Sequence, residues 1–92
     1  MIKTFIYKGL SELWATNSTK KIDALLHGRI KIRLDALHVA ARPGDMNVPG
    51  LDFHPLKGRR PVRCTVHVNG PWCITFEFDK GDAYRVNLEQ YH

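Results

Sequence analysis

Cysteine is scarce in this chain, and the two present, Cys64 and Cys73, lack the paired spacing of a zinc site. No cluster of histidine and cysteine completes one, so neither a structural metal nor a cofactor is expected. Also missing is any apolar run near the roughly 18 residues of a membrane-spanning helix, which argues against a membrane protein. The opening residues, Met1 to Lys8, have no signal-peptide hydrophobic region, and a cytoplasmic location is expected. Acidic side chains are outnumbered: nine Asp and Glu stand against fourteen Lys and Arg, for a formal charge of +5. Such a balance favours a polyanionic partner, nucleic acid before all, although an acidic protein surface satisfies the same field. Ninety-two residues suffice for one hydrophobic core and not for two. Residues 1–92 are therefore expected to form a single domain, with any site on the surface or rim of its core.

What is present divides into helical and alternating stretches. Ile2 to Tyr7 is rich in β-branched and aromatic residues and reads as a first strand. Lys8 to about Asn17 carries Leu10, Leu13 and Trp14 at helical spacing, and the polar run Asn17-Ser18-Thr19 ends it. From Ile22 to about Ala41 the 3.6-residue period places Ile22, Leu25, Leu26, Ile30, Leu34 and Leu37 on one stripe, which predicts the helix that covers the sheet. Arg29 and Arg33 interrupt that stripe. They are expected to reach past the core edge or to pair with a carboxylate rather than to contact a ligand.

Arg42 to Gly50 holds two prolines and two glycines and reads as a long loop. It leads into Phe53-His54-Pro55-Leu56-Lys57-Gly58, itself loop-like, and then into the densest run of cations, Lys57, Arg59, Arg60 and Arg63.

Val62 to the C-terminus predicts a meander of three strands. Cys64, Val66, Trp72, Ile74, Phe76, Phe78, Tyr84, Val86 and Leu88 are expected to point inward, joined through three-residue turns at Val68-Asn69-Gly70 and Asp79-Lys80-Gly81. That register sets Val66 against Trp72, Cys64 against Ile74, Ile74 against Val86 and Phe76 against Tyr84. The opposite face then carries Arg63, Thr65, His67, Cys73, Thr75, Glu77, Arg85, Asn87 and Glu89, a polar surface open to a partner. It places Cys64 inside and Cys73 outside, too far apart in orientation for a disulfide.

Several segments, in order, carry a resemblance. They are Asp45-Met46-Asn47-Val48-Pro49-Gly50, Phe53-His54-Pro55-Leu56-Lys57-Gly58, Val68-Asn69-Gly70-Pro71-Trp72, Gly81-Asp82-Ala83-Tyr84 and the terminal Tyr91-His92. With that spacing the chain resembles the HigB toxins of bacterial toxin–antitoxin pairs, within the RelE and ParE superfamily. The resemblance implies a compact α+β fold of microbial-ribonuclease type, with two N-terminal helices packed on an antiparallel sheet. It implies a metal-free endoribonuclease that cuts messenger RNA in the ribosomal A site. It also implies a helix-turn-helix antitoxin of the HigA type as partner, through which operator DNA is reached indirectly.

Carried over by position, the functional residues fall on His54, Lys57, Tyr91 and His92. Imidazoles at His54 and His92 suit acid–base work near neutral pH, and the stretches that hold them are expected to meet. Lys57, Arg59 and Arg60 suit the phosphate, and Tyr91 suits stacking on a base or giving up a proton. Two positions depart from the common pattern: Cys73 replaces an arginine after the tryptophan, and Gln90 replaces an aspartate before Tyr-His. Arg63 and Arg85 are expected to supply the cation missing at Cys73. The departures keep open a binding module acting through its antitoxin, with a gyrase inhibitor of the ParE kind as a further alternative.

Overall fold

The computed structural model describes residues 1–56, 58 and 62–90. Two helices, α1 (Lys8–Thr16) and α2 (Ala24–Val39), pack on one face of a four-stranded antiparallel sheet. Its strands β1 (His54–Leu56), β2 (Arg63–Asn69), β3 (Trp72–Asp79) and β4 (Asp82–Gln90) lie in the order β1-β2-β3-β4. Leu10 and Leu13 of α1 and Leu26, Ile30, Leu34 and Leu37 of α2 meet Val66, Val68, Ile74, Phe76 and Val86 of the sheet in one core.

Local chemistry sets the helix ends. Asp23 caps α2, its carboxylate accepting from the Leu25 N–H at 3.0 Å. Asn17 closes α1 in the left-handed conformation, φ 70°, with its N–H on the Leu13 carbonyl. Gly9 is required by close approach, because a Cβ there would stand 2.7 Å from the Tyr7 ring. Tyr7 is fixed in turn by its hydroxyl, which donates to the Lys21 carbonyl at 2.7 Å.

The α2 stripe is narrower than the sequence suggested. Leu25 is 86% exposed, and Ile32 and Val39 share its side of the helix at intervals of one heptad. The buried stripe runs instead through Leu26, Ile30, Arg33, Leu34 and Leu37. Arg33 is buried as expected of a paired arginine, but its partners are backbone carbonyls. Its Nε donates to His67 O at 2.6 Å and its Nη1 to Arg29 O at 3.0 Å. β1 pairs with β2 only from Thr65 to Arg63, so beyond that point no strand supplies a donor to His67 O. Arg33 takes that role and ties α2 to β2.

The N-terminal segment Ile2–Tyr7 is not a strand. It makes two isolated parallel bridges to β4, Ile2 with Ala83 and Phe5 with Val86. A bulge at Arg85, φ 51°, interrupts the edge it would have followed. The segment still covers that edge, with Lys3 N–H on Ala83 O and Ile6 N–H on Val86 O, each at 2.8 Å. The His54–Leu56 stretch, expected to be loop, is the other edge strand. Pro55 is accepted there because an edge strand leaves one side of its backbone unpaired.

Both hairpins correct the expected register. Lys80 and Gly81, φ 51° and 86°, form a two-residue turn between Asp79 and Asp82, and the Asn69–Trp72 pair closes a second around Gly70-Pro71. Bulges in β2 between His67 and Asn69, and in β4 at Arg85, then absorb the odd residue. The pairs are Val66 with Ile74, Cys64 with Phe76, Ile74 with Leu88 and Glu77 with Tyr84. The inward set survives, with one exception. Tyr84 shares the outer face with Glu77, and Ala83 takes its expected inner position, fully buried. The segment after α2 is less loop-like than expected: Pro43–Met46 forms a 3-10 turn whose Met46 is buried, and Leu51 is buried beyond it.

Candidate active site

On the outer face of the sheet the register builds three rows of side chains. Leu56, Arg63, Glu77 and Tyr84 form one, and His54, Thr65, Thr75 and Asn87 the next. His67, Cys73 and Glu89 form the third. Although no described helix covers this face, its middle is sealed: Arg63, Thr65 and Thr75 are each buried.

Arg63 does the sealing. Its Nη1 lies 2.6 Å from Glu77 Oε2, while its Nη2 donates to Thr75 Oγ1 at 2.7 Å and to Arg85 O at 3.1 Å. The Thr75 hydroxyl donates onward to Glu89 Oε2, and Arg85 Nε adds a second cation 3.4 Å from Glu77. Arg63 is therefore a structural cation, its charge met by Glu77 and, at 3.9 Å, by Glu89. Arg85 remains largely exposed. The network also restrains the last described turn of chain, since Glu89 directly precedes Gln90.

His54 stands exposed at the sheet edge. Asp52, in the left-handed conformation at φ 49°, turns its carbonyl to the His54 ring, 3.1 Å from Nδ1. A carbonyl only accepts, so Nδ1 carries the hydrogen in the neutral ring and Nε2 is left as the free basic nitrogen. His67 is oriented in the same way, with Nε2 donating to Gly70 O at 2.9 Å. Asp52, His54 and Leu56, together with Thr65, His67 and Cys73, line a cavity of about 310 Å³. Among the described residues no group of histidines, cysteines and acids is arranged to hold a metal ion.

Of the residues expected from sequence, the structure places His54 and Cys73 around this cavity, with Arg63 and Arg85 further along the same face. Lys57, Arg59, Arg60, Tyr91 and His92 lie outside the described residues. β1 and β4 are the two ends of the strand order, so His54 and the end of β4 do not meet by pairing. Three strand steps of about 4.8 Å separate them, and whatever lies between them lies across the outer face. Asp52 is absent from the sequence expectations, and Thr65 and His67 figure in them only as members of the outer polar face, not as neighbours of His54. The signal for Thr65 and His67 was their alternation with Arg63, but it stays mute until β1 is known to pair beside them.

Cys64 and Cys73 face opposite sides of the sheet, and burial pushes the Cys64 thiol up from its ordinary value. One thiol per native molecule should react promptly with an aromatic disulfide reagent at pH 8, and the second only after denaturation. Two equally fast thiols in the native protein would contradict this placement.

A helical pair on an antiparallel sheet, with an open polar face carrying histidine at its edge, is the arrangement of a RelE-like toxin. The sequence agrees with that class along nearly its whole length: residues 3–92 match the family described as RelE-like toxin of type II toxin–antitoxin system, HigB. The chain belongs to that HigB-like family. It is 41% identical over 92 residues to Endoribonuclease HigB of Proteus vulgaris, with the whole of both chains covered. No described helix is long and apolar enough to cross a membrane.

Proposed function

We propose that this protein is the toxin of a type II toxin–antitoxin system and that it acts as an endoribonuclease on messenger RNA in the ribosomal A site. The observation that carries the reading is His54, held with Nε2 free at the mouth of a cleft on the open face, in a chain colinear with Endoribonuclease HigB. Cleavage without a metal needs a base for the ribose 2′-hydroxyl, a donor for the leaving oxygen and positive charge at the phosphate. In this reading His54 takes the proton and His92 or Tyr91 returns one, while Lys57, Arg59 and Arg60 hold the phosphate with Arg85 at the far side. Arg63 contributes indirectly, by fixing the carboxylates that would otherwise repel RNA. The natural partner is a helix-turn-helix antitoxin of the HigA type, through which operator DNA is engaged, and the site of action is the cytoplasm.

Brief induction of the protein followed by 5′-end mapping of cellular messenger RNA tests this directly. New ends inside coding regions, in phase with codons, are the expected result. Intact messenger RNA with arrested growth would overturn it. The second reading, an attenuated toxin that only binds, is favoured by Cys73, which puts a thiol rather than a cation at its place in the cavity wall. It predicts no new ends until Cys73→Arg is combined with Gln90→Asp.

A further inference from the structure

We infer that the outward side of α2 is a self-contact surface, through which two copies of this chain pair antiparallel about a twofold axis at Ile32. The contact lies on the layer opposite the open sheet face, so it goes beyond the ribonuclease reading and does not depend on it.

α2 is apolar on two sides. Leu26, Ile30, Leu34 and Leu37 point into the core, while Leu25, Ile32 and Val39 stand 86%, 65% and 80% exposed on the solvent side. At heptad spacing these three form a seam along nearly the whole helix, roughly 21 Å from first to last. Single exposed leucines are ordinary, whereas a regular seam is a surface that another helix can cover.

Which helix covers it follows from the order of residues about Ile32. On either side of it, at equal distances along the chain, stand Arg29 and Asp35, then Gly28 and Ala36, then Leu25 and Val39. A twofold axis at Ile32 therefore sets Leu25 against Val39 of the second copy, Ile32 against Ile32, and Arg29 level with Asp35, each contact occurring twice except the central one. Arg29 and Asp35 are exposed, and neither makes an ion pair among the described residues. A parallel pair would instead set Arg29 beside Arg29 and Asp35 beside Asp35. The charge pattern thus selects the antiparallel copy.

Gly28 is an independent observation. Glycine inside a helix weakens it, and here an added Cβ would meet nothing within 4 Å, so no contact among the described residues requires it. On the flank of the seam, with the small Ala36 on the other flank, it lets a second backbone come close enough for the two Ile32 side chains to meet. The covered area is small. One helix face per copy falls below the roughly 1,200 Å² of a stable complex, so pairing is expected at concentrations on the order of 100 µM and above. Because α2 lies on the inner side of the sheet, both open faces of such a dimer point outward.

Sedimentation equilibrium on the full-length chain, freed of antitoxin, from about 10 µM to about 1 mM tests the pairing, and the mass should rise from monomer to dimer. Ile32→Glu, at an exposed position, should keep Tm while weakening association by roughly 30-fold or more, since two carboxylates then meet at the axis. Arg29→Asp and Asp35→Arg should each weaken it roughly 5- to 30-fold, and the two combined should return it to within about 3-fold of the parent, because opposite charges meet again. In a Cys73→Ser background, Ile32→Cys should crosslink to itself on oxidation and Leu25→Cys should not, as two copies of position 25 end about 21 Å apart. A chain monomeric throughout, a dimer indifferent to Ile32→Glu, or a double charge swap no better than the single ones would overturn the proposal. So would a monomer in which Ile32→Glu abolishes antitoxin binding, which assigns the seam to the antitoxin instead.

Discussion

Arg63→Met should cost the fold roughly 3–5 kcal/mol, the range for removing one partner of a buried ion pair. Glu77 is left behind with a 13% exposed side chain, facing Glu89 across Thr75, with only the exposed Arg85 guanidinium to offset it. In a domain of this size each kcal/mol moves Tm by about 4–8 °C, so the midpoint should fall by more than 10 °C. The double variant Arg63→Met with Glu77→Met removes both charges and should recover most of the loss, because well-packed apolar groups often replace a buried pair without penalty. Thermal or urea unfolding of the single and double variants reads both quantities. A single variant within about 1 kcal/mol of the parent would show that Arg63 is an ordinary surface cation and is free for RNA after all.

His54→Ala should behave in the opposite way, with stability nearly unchanged and RNA cleavage reduced by about 10²–10⁴-fold, the usual contribution of a positioned acid or base. His54 is exposed, and among the described residues its ring makes one hydrogen bond, to Asp52 O, so little packing is lost. The loss should fall on kcat rather than KM, since the ring is oriented to accept a proton and contributes little binding surface. Single-turnover cleavage of RNA on programmed ribosomes, with Tm measured on the same preparation, separates the two effects. A variant that cuts as fast as the parent would remove His54 from the chemistry. Loss of folding together with activity would make it structural.

How much of this was legible beforehand differs by element. The helices announce themselves because burial of Leu10, Leu13, Leu26, Ile30, Leu34 and Leu37 follows a local period, and the inner face of the meander follows the two-residue alternation. Leu25 illustrates the limit of periodicity. It sits within a helical turn of Leu26 and belongs to the apolar stripe by composition, yet nothing in the described chain lies over it. The turns failed for a different reason. Lys80 adopts φ 51° in the two-residue turn, where glycine or asparagine is the usual signal. Once that turn is shortened, the bulge at Arg85 must appear to keep Val86 and Leu88 inside, and Tyr84 changes faces.

His54 was singled out from the chain itself, as an imidazole in a segment of known resemblance. Cys73 stands out too, as a departure from the family pattern, but its grouping with His54, Thr65 and His67 does not, because strand pairing makes it: Thr65 joins the His54 row only once β1 lies against β2, and Cys73 faces His67 only through the β2 to β3 register. The sequence alone determined the class of fold, the basic character of the chain and the family to which it belongs, all of which depend on composition and local order. Only the tertiary structure decided that Arg63 is spent on Glu77, that Thr65 is buried without a partner, and that the two edge strands flank the candidate site. Those outcomes depend on which side chains meet across strands, and a residue's own neighbours in the chain carry no record of that.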